Sequence, residues 1–227
     1  MLPPVLIAAG VMLFGVLAFD MMGVLVRMLG GTYPILQIAV LRNLFGVLPA
    51  VFLLWRAGAF ASLPAMMNRR LLLLTLIRSM AVVLAQFSFY TALTRIEFAT
   101  ATALAFCGPM FITALSIPVL GHHVGVWRWS AIIIGFVGVI TIMQPFEDGF
   151  VWFMVLPVMA AFFYAVSSIL VRFFPSEMPS AAIQLNQQVL TCVIALAALL
   201  IFQQPVPIAS VNDGCCLFWS GFLEAPA

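Results

Sequence analysis

Residues 71–93 read LLLLTLIRSMAVVLAQFSFYTAL, an apolar run whose only charge is Arg78. A helix rises about 1.5 Å per residue, so a run of this length reaches across a hydrocarbon layer about 30 Å thick. Working outward, comparable runs occupy 5–26, 34–55, 98–120, 128–144, 150–171 and 181–203, and apolar sequence resumes at Leu217. Lipid offers no partner to backbone N–H and C=O groups, so spans of this kind must be helices. The sequence therefore predicts an all-α fold, a polytopic membrane helical bundle with seven spans and the start of an eighth. Pro34, Pro145, Pro175, Pro179, Pro205 and Pro207 mark the turns between spans.

Composition agrees and closes other routes. Hydrophobic residues make up 65% of the chain and charged residues 7%, against roughly 25% charged in a soluble domain. All nine basic residues are arginines. The net charge of +2 is spread over loops, with no basic cluster fit for nucleic acid. Cys107, Cys192, Cys215 and Cys216 show no CxxC spacing, so neither a zinc site nor a disulfide framework is indicated. The adjacent His122 and His123 would point in different directions, and no metal or cofactor is expected. No span carries HExxH, GxSxG or a pair of neighbouring carboxylates, which argues against an enzyme. The N-terminal run is too long for a signal-peptide core and has no basic flank, so it reads as a retained first span.

Arginine placement orients the bundle. Loops after spans two, four and six hold Arg56, Arg69, Arg70, Arg128 and Arg172, while the opposite loops hold only Arg27 and Arg95. The positive-inside rule then puts the N-terminus in the cytoplasm.

The chain also repeats itself. Val24-Leu25-Val26-Arg27 is followed by Pro34, and Ile169-Leu170-Val171-Arg172 is followed at the same spacing by Pro179. At this offset of 145 residues Phe19 falls opposite Tyr164 and Arg42 opposite Gln187. The first copy closes span one and the second closes span six. Five spans per unit is an odd number, so the second unit enters the membrane from the other side, giving an inverted-topology repeat. The expected organisation is a first five-helix repeat over 1–145, the start of a second over 146–211, and an aberrant or truncated end over 212–227. Two full units would need about 290 residues.

These segments together resemble the EamA-like branch of the drug/metabolite transporter superfamily. The residues that carry the likeness are Phe14-Gly15 to Asp20, Tyr33-Pro34-Ile35-Leu36-Gln37-Ile38 and Leu41-Arg42-Asn43-Leu44. It continues through Phe89-Tyr90-Thr91-Ala92-Leu93, Glu97-Phe98-Ala99-Thr100, Gly108-Pro109-Met110-Phe111 and Trp129 to Val139, then Tyr164 and Leu170-Val171-Arg172. The resemblance implies ten helices in two inverted five-helix units around a central cavity that opens alternately to each side. It also implies a small-molecule substrate and a place in the inner membrane. One departure stands out: the family commonly has Gly-Glu at the cytoplasmic end of span four, where this chain has Gly121-His122.

Function is sought in the polar groups within the bilayer. Asp20 lies about 9 Å below the outer end of span one, and Arg42 about 12 Å down from the same side. A charge at mid-membrane costs at least ~2.5–3.5 kcal/mol, so the two are expected to share a polar cavity. Either Asp20 takes a proton or cationic group and Arg42 an anionic one, or the two form a structural ion pair. Gln86 and Tyr90, four apart on span three, are candidate contacts, with Thr102 in span four and Tyr164 in span six. Asn186 and Gln187, next to Gln188 in span seven, either line the cavity or hydrogen-bond between helices. Arg78 is expected to snorkel towards the headgroups. Pro109 is expected to bend span four, and the small residues of spans four and five (Ala99, Ala101, Ala103, Ala105, Gly108, Gly135, Gly138) to pack helices closely.

The expected function is a secondary transporter moving a small polar or amphipathic metabolite by alternating access. An inactive truncated remnant of such a transporter is the alternative, and a membrane-embedded enzyme comes third. Expected partners are the substrate, the lipid bilayer and, as a further candidate, a second copy of the chain.

Overall fold

The computed structural model describes residues 4–56, 58, 68–120, 125–144, 151–175, 178–202 and 206. Gly121-His122, His123, residues 212–227 and the eighth apolar run from Leu217 lie outside them. Every regular element among the described residues is a helix: α1 (Pro4–Leu29), α2 (Ile35–Arg56), α3 (Arg69–Arg95), α4 (Phe98–Ala105), α5 (Gly108–Leu120), α6 (Val126–Met143), α7 (Val155–Leu170) and α8 (Ser180–Phe202). Short 3-10 turns, Trp152–Met154 and Val171–Phe173, flank α7. Five stretches are long and apolar enough to cross a membrane: Ile35–Arg56, Arg69–Arg95, Phe98–Val119, Trp152–Phe173 and Ser180–Phe202.

Span four is interrupted rather than only bent. Pro109 has no N–H to give the carbonyl one turn earlier, and it pushes the preceding residue away from helical geometry. The chain answers with a tight turn at Phe106 and Cys107. Cys107 N–H donates to the Leu104 carbonyl (3.3 Å), and the Cys107 carbonyl then accepts from Met110 and Phe111 as α5 begins (3.0 and 3.2 Å). At the other entry from a loop, the Asn68 side chain caps α3 by accepting from the Arg70 N–H (3.2 Å). Two arginines in the first turn oppose the helix dipole, so helix electrostatics does not account for them.

The described chain forms two compact units, one of residues 1–61 and 180–227, the other of residues 62–179. In the first, α2 packs along α8. Gln188 meets Asn43 (3.2 Å), and Cys192 meets Val40 (3.8 Å). Numbering rises along one helix as it falls along the other, so the two run antiparallel. Past the end of α8 the Gln37 side chain brackets Val206, donating to its carbonyl (2.6 Å) and accepting from its N–H (2.8 Å).

In the second unit α3 packs along α7, which also meets α4 and α5. Ala85 and Ala92 of α3 and Ala165 of α7 are fully buried. Small side chains let helix backbones approach where lipid supplies no hydrophobic drive. Close packing therefore falls chiefly on α3 and α7 and less on spans four and five. Of the small residues expected there, Ala101 is fully buried, Ala99 is exposed, and a side-chain carbon added at Gly108 or Gly138 would meet nothing within 4 Å. Phe111 stands edge-on to Phe136 of α6 (5.1 Å between ring centres) and to Phe162 of α7 (5.6 Å), tying three helices together. Trp55, Trp127, Trp129 and Trp152 are exposed at or beside helix ends, where interfacial anchors belong.

Gly135 packs closely against a neighbouring side chain. A methyl group there would run into the tip of the Met110 side chain. Gly135→Ala should be near neutral, because helix propensity gains up to about 1 kcal/mol while a flexible thioether gives way. Gly135→Leu should lower the thermal midpoint in detergent, and Met110→Ala should restore part of that loss, with a coupling of about 1–2 kcal/mol in a double-mutant cycle.

Candidate functional site

Burial in a membrane helix normally selects apolar side chains, so polar ones that are fully enclosed mark a designed interior. In α2 these are Gln37, Arg42 and Asn43, and in α8 they are Gln187, Gln188 and Thr191. Large apolar groups (Leu44, Leu48, Phe52, Val189, Val193 and Leu200) face outward from the same two helices. The pattern is inside-out relative to a water-soluble helix, as a span with a polar inner face requires.

Arg42 is fully buried, and its Nη1 donates to the Sδ of Met22 on α1 (3.3 Å). A thioether is a weak acceptor. Met22 thus brings α1 against Arg42. Two positions along a helix turn about 200°, so Asp20 lies on the other side of α1 from Met22, partly exposed.

Of the Asn186-Gln187-Gln188 run, the two glutamines are buried and Asn186 is half-buried. Gln188 Nε2 donates to the Asn43 carbonyl, which is an inter-helix bond. Asn43 Nδ2 turns back to the Ala39 carbonyl of its own helix (2.7 Å). Thr191 behaves differently from most helical threonines here. Thr75, Thr91, Thr102, Thr113 and Thr141 each donate to the carbonyl four residues earlier. The Thr191 hydroxyl is enclosed with no hydrogen-bond partner among the described residues.

The remaining candidates belong to the other unit. Gln86 and Tyr90 are buried on one face of α3, and Tyr164 on α7 is half-buried. Thr102 gives its hydroxyl to Phe98 (2.9 Å) and Ala99 (3.0 Å), so its donor is already used. Arg78, expected at the headgroups, is 9% exposed. The reason is its company: Thr75, Ser79 and Gln86 share the buried side of α3, while Leu72, Leu76, Ile77 and Met80 take the outer side. A guanidinium within a polar stripe has no need to reach the headgroups. Cys107 sits in an apolar cluster with Leu104, Val139 and Ala161, which is packing rather than chemistry.

Sequence reasoning missed Asn43, Thr191 and Gln37 as interior groups. The repeat offset was the available signal for the first, since it sets Asn43 opposite Gln188 as it sets Arg42 opposite Gln187. An enclosed hydroxyl without a partner costs about 1–3 kcal/mol. Thr191→Val keeps the shape and deletes that cost, so it should raise the thermal midpoint in detergent, whereas Thr191→Ser should not. A fall for the valine variant would show that the hydroxyl is satisfied in the membrane.

The model for the EamA-like transporter family matches residues 6–144. That range holds Asp20, Arg42, Gln86, Tyr90 and Thr102, and leaves Tyr164, Asn186 and Gln187 beyond it. A riboflavin transporter of Rhizobium johnstonii is 39% identical over 72 residues, covering 32% of this chain and 24% of that protein. A riboflavin transporter of Vibrio cholerae is 36% identical over 104 residues, covering 45% of this chain and 35% of that protein. The matched segments thus span only about a quarter to a third of each relative's length. The family match is the broader one: it runs over more than half of the sequence, and the chain belongs to the EamA-like transporter family.

Proposed function

We propose that the chain works as a secondary transporter that carries a small amphipathic metabolite across the inner membrane by alternating access, with its N-terminus in the cytoplasm. Family membership across residues 6–144 carries this reading. Riboflavin, named for both relatives, is the first substrate to test. It joins a flat apolar ring to polar edges and a hydroxylated tail, a chemistry that suits amide and guanidinium groups set in an apolar wall. Arg42, Asn186 and Gln187 are the proposed polar contacts in one unit, and Gln86, Tyr90, Thr102 and Tyr164 in the other. Asp20 is proposed as the proton-accepting group.

The inverted repeat, with five-helix units at 1–145 and from 146 onward, has its own support. Moving α2 along the chain by the repeat offset lands on 180–201, and α8 is Ser180–Phe202. Inversion requires equivalent helices to run in opposite directions, and α2 and α8 are antiparallel. The hydrogen bond between them joins Gln188 to Asn43, positions that are 145 apart. Contact between equivalent residues is what a two-fold axis through the helix pair produces.

Uptake into membrane vesicles tests the reading, with labelled riboflavin and a panel of small metabolites as substrates. Transport above the level of vesicles lacking the protein is expected, along with a loss of tenfold or more for Arg42→Gln if the guanidinium holds substrate, about 1.4 kcal/mol per decade. Asp20→Asn should abolish proton-driven uptake and leave substrate exchange intact. No transport of any panel member by a protein shown to be inserted and folded would sink the proposal.

A further inference from the structure

Pro109 leaves two carbonyls of span four without a helical donor. The donor to Ala105 would stand four residues on, at Pro109, which has no N–H. The donor to Phe106 would be Pro109 or Met110, and the Met110 N–H goes to Cys107 instead (3.0 Å). Neither carbonyl has another partner among the described residues. The break lies about 10–12 Å into the span that begins at Phe98, well inside the hydrocarbon layer. Open backbone at that depth is tolerated only where protein covers it or water reaches it. Protein covers one side: Cys107 turns into the apolar cluster with Leu104, Val139 and Ala161. The other side is open. Phe106 is 57% exposed, Pro109 is exposed, and a side-chain carbon added at Gly108 would meet nothing within 4 Å. Orphaned carbonyls on an open side require water there, not lipid.

We propose that the open side of the α4–α5 break is a substrate subsite on a water-filled cavity, where the Ala105 and Phe106 carbonyls accept from a ring N–H and the Phe106 side chain stacks on the flat heterocycle that carries it. The inference deepens the transporter reading above and rests on it for the class of ligand. Both carbonyls lie at the C-terminal end of α4, the negative end of its dipole, which favours a donor over an acceptor. An exposed aromatic beside them selects a flat ring over a hydroxylated chain. Riboflavin meets both demands with the imide N–H of its ring system. Broken spans place freed backbone groups at the ligand in the same way in other secondary transporters.

The experiment uses the full chain in lipid vesicles, with Cys107→Ala, Cys192→Ala, Cys215→Ser and Cys216→Ser. Gly108→Cys places a reporter thiol in the open space, and Ile134→Cys, on the exposed apolar side of α6, is the lipid-facing control. If Gly108→Cys does not insert, Ala105→Cys replaces it. A charged, membrane-impermeant methanethiosulfonate should label position 108 about tenfold faster than 134 or more, because the reactive thiolate needs water. Riboflavin and lumiflavin, the same ring without the hydroxylated tail, should each slow that labelling about threefold or more at concentrations above their Kd. Adding Phe106→Ala should abolish protection by lumiflavin while labelling stays fast, and Phe106→Tyr should keep it. Equal labelling at 108 and 134 would overturn the proposal, as would protection by neither flavin, by riboflavin alone, or undiminished in Phe106→Ala. Riboflavin uptake by the same vesicles separates the two readings. Fast labelling with protection but no transport would refute the transporter reading and leave the subsite standing; transport without protection at 108 would do the reverse.

Discussion

Enclosing Arg42 is the costliest thing this sequence does. A guanidinium in hydrocarbon is opposed by at least ~2.5–3.5 kcal/mol even on the mildest scale, and Arg42 has no exposed surface at all. The helix that bears it cannot then be turned freely. With Arg42 inward, Gln37 and Asn43 come inward as well, and Leu44, Leu48, Val51 and Phe52 are left facing out. The partner helix is bound by the same condition. On α8, Gln187, Gln188 and Thr191 lie on the buried side, and Val193, Leu196 and Leu200 on the other. A pair of spans that looks uniformly greasy by composition is thus fixed in rotation by a few groups that lipid will not accept.

The other unit obeys that rule with a different balance. Arg78, Ser79 and Gln86 lie on the inner face of α3, and Ala81, Ala85 and Ala92 of α3 are buried with them, as are Ala160, Ala161 and Ala165 of α7. Small side chains add dispersion contacts by letting backbones close in. The aromatic edges of Phe111, Phe136 and Phe162 then tie α5, α6 and α7.

Helix existence was legible because a lipid span needs a minimum number of apolar residues and little else. The run at 71–93 became Arg69–Arg95, and that at 181–203 became Ser180–Phe202. What stayed hidden was anything that depends on three-dimensional neighbours. A proline midway along span four is compatible with a bend or a break, and at the break Cys107 shares its carbonyl between two donors. Arg78 has a stem long enough to snorkel, and only the structure shows it buried within a polar stripe. Gly138 looks like a packing glycine in the sequence, yet no neighbour approaches it. At the candidate site, Arg42 could be singled out because a charge inside an apolar run is conspicuous. Asn43 could not, since it stands beside the arginine like any flanking residue, and Thr191 is an ordinary threonine until its hydroxyl is found without a mate.

Strength and mobility have to be reconciled along the α2–α8 seam. The polar stitches Gln37 to Val206, Cys192 to Val40 and Gln188 to Asn43 fall in the first half of α2. The second half buries Gly46, Pro49, Ala50 and Leu54, whose side chains carry no hydrogen-bonding group. Inter-helix hydrogen bonds in membranes contribute only about 0.6 kcal/mol on average, because the separated helices also find partners. A seam stitched at one end by such bonds and lined at the other by small and apolar groups is specific in register but inexpensive to open. If its polar face were closed instead by a fully desolvated ion pair, breaking that pair would cost several kcal/mol and would hold the helices in one arrangement. The choice of amides over ions in α8 therefore keeps the interior polar while leaving the helix pair able to move.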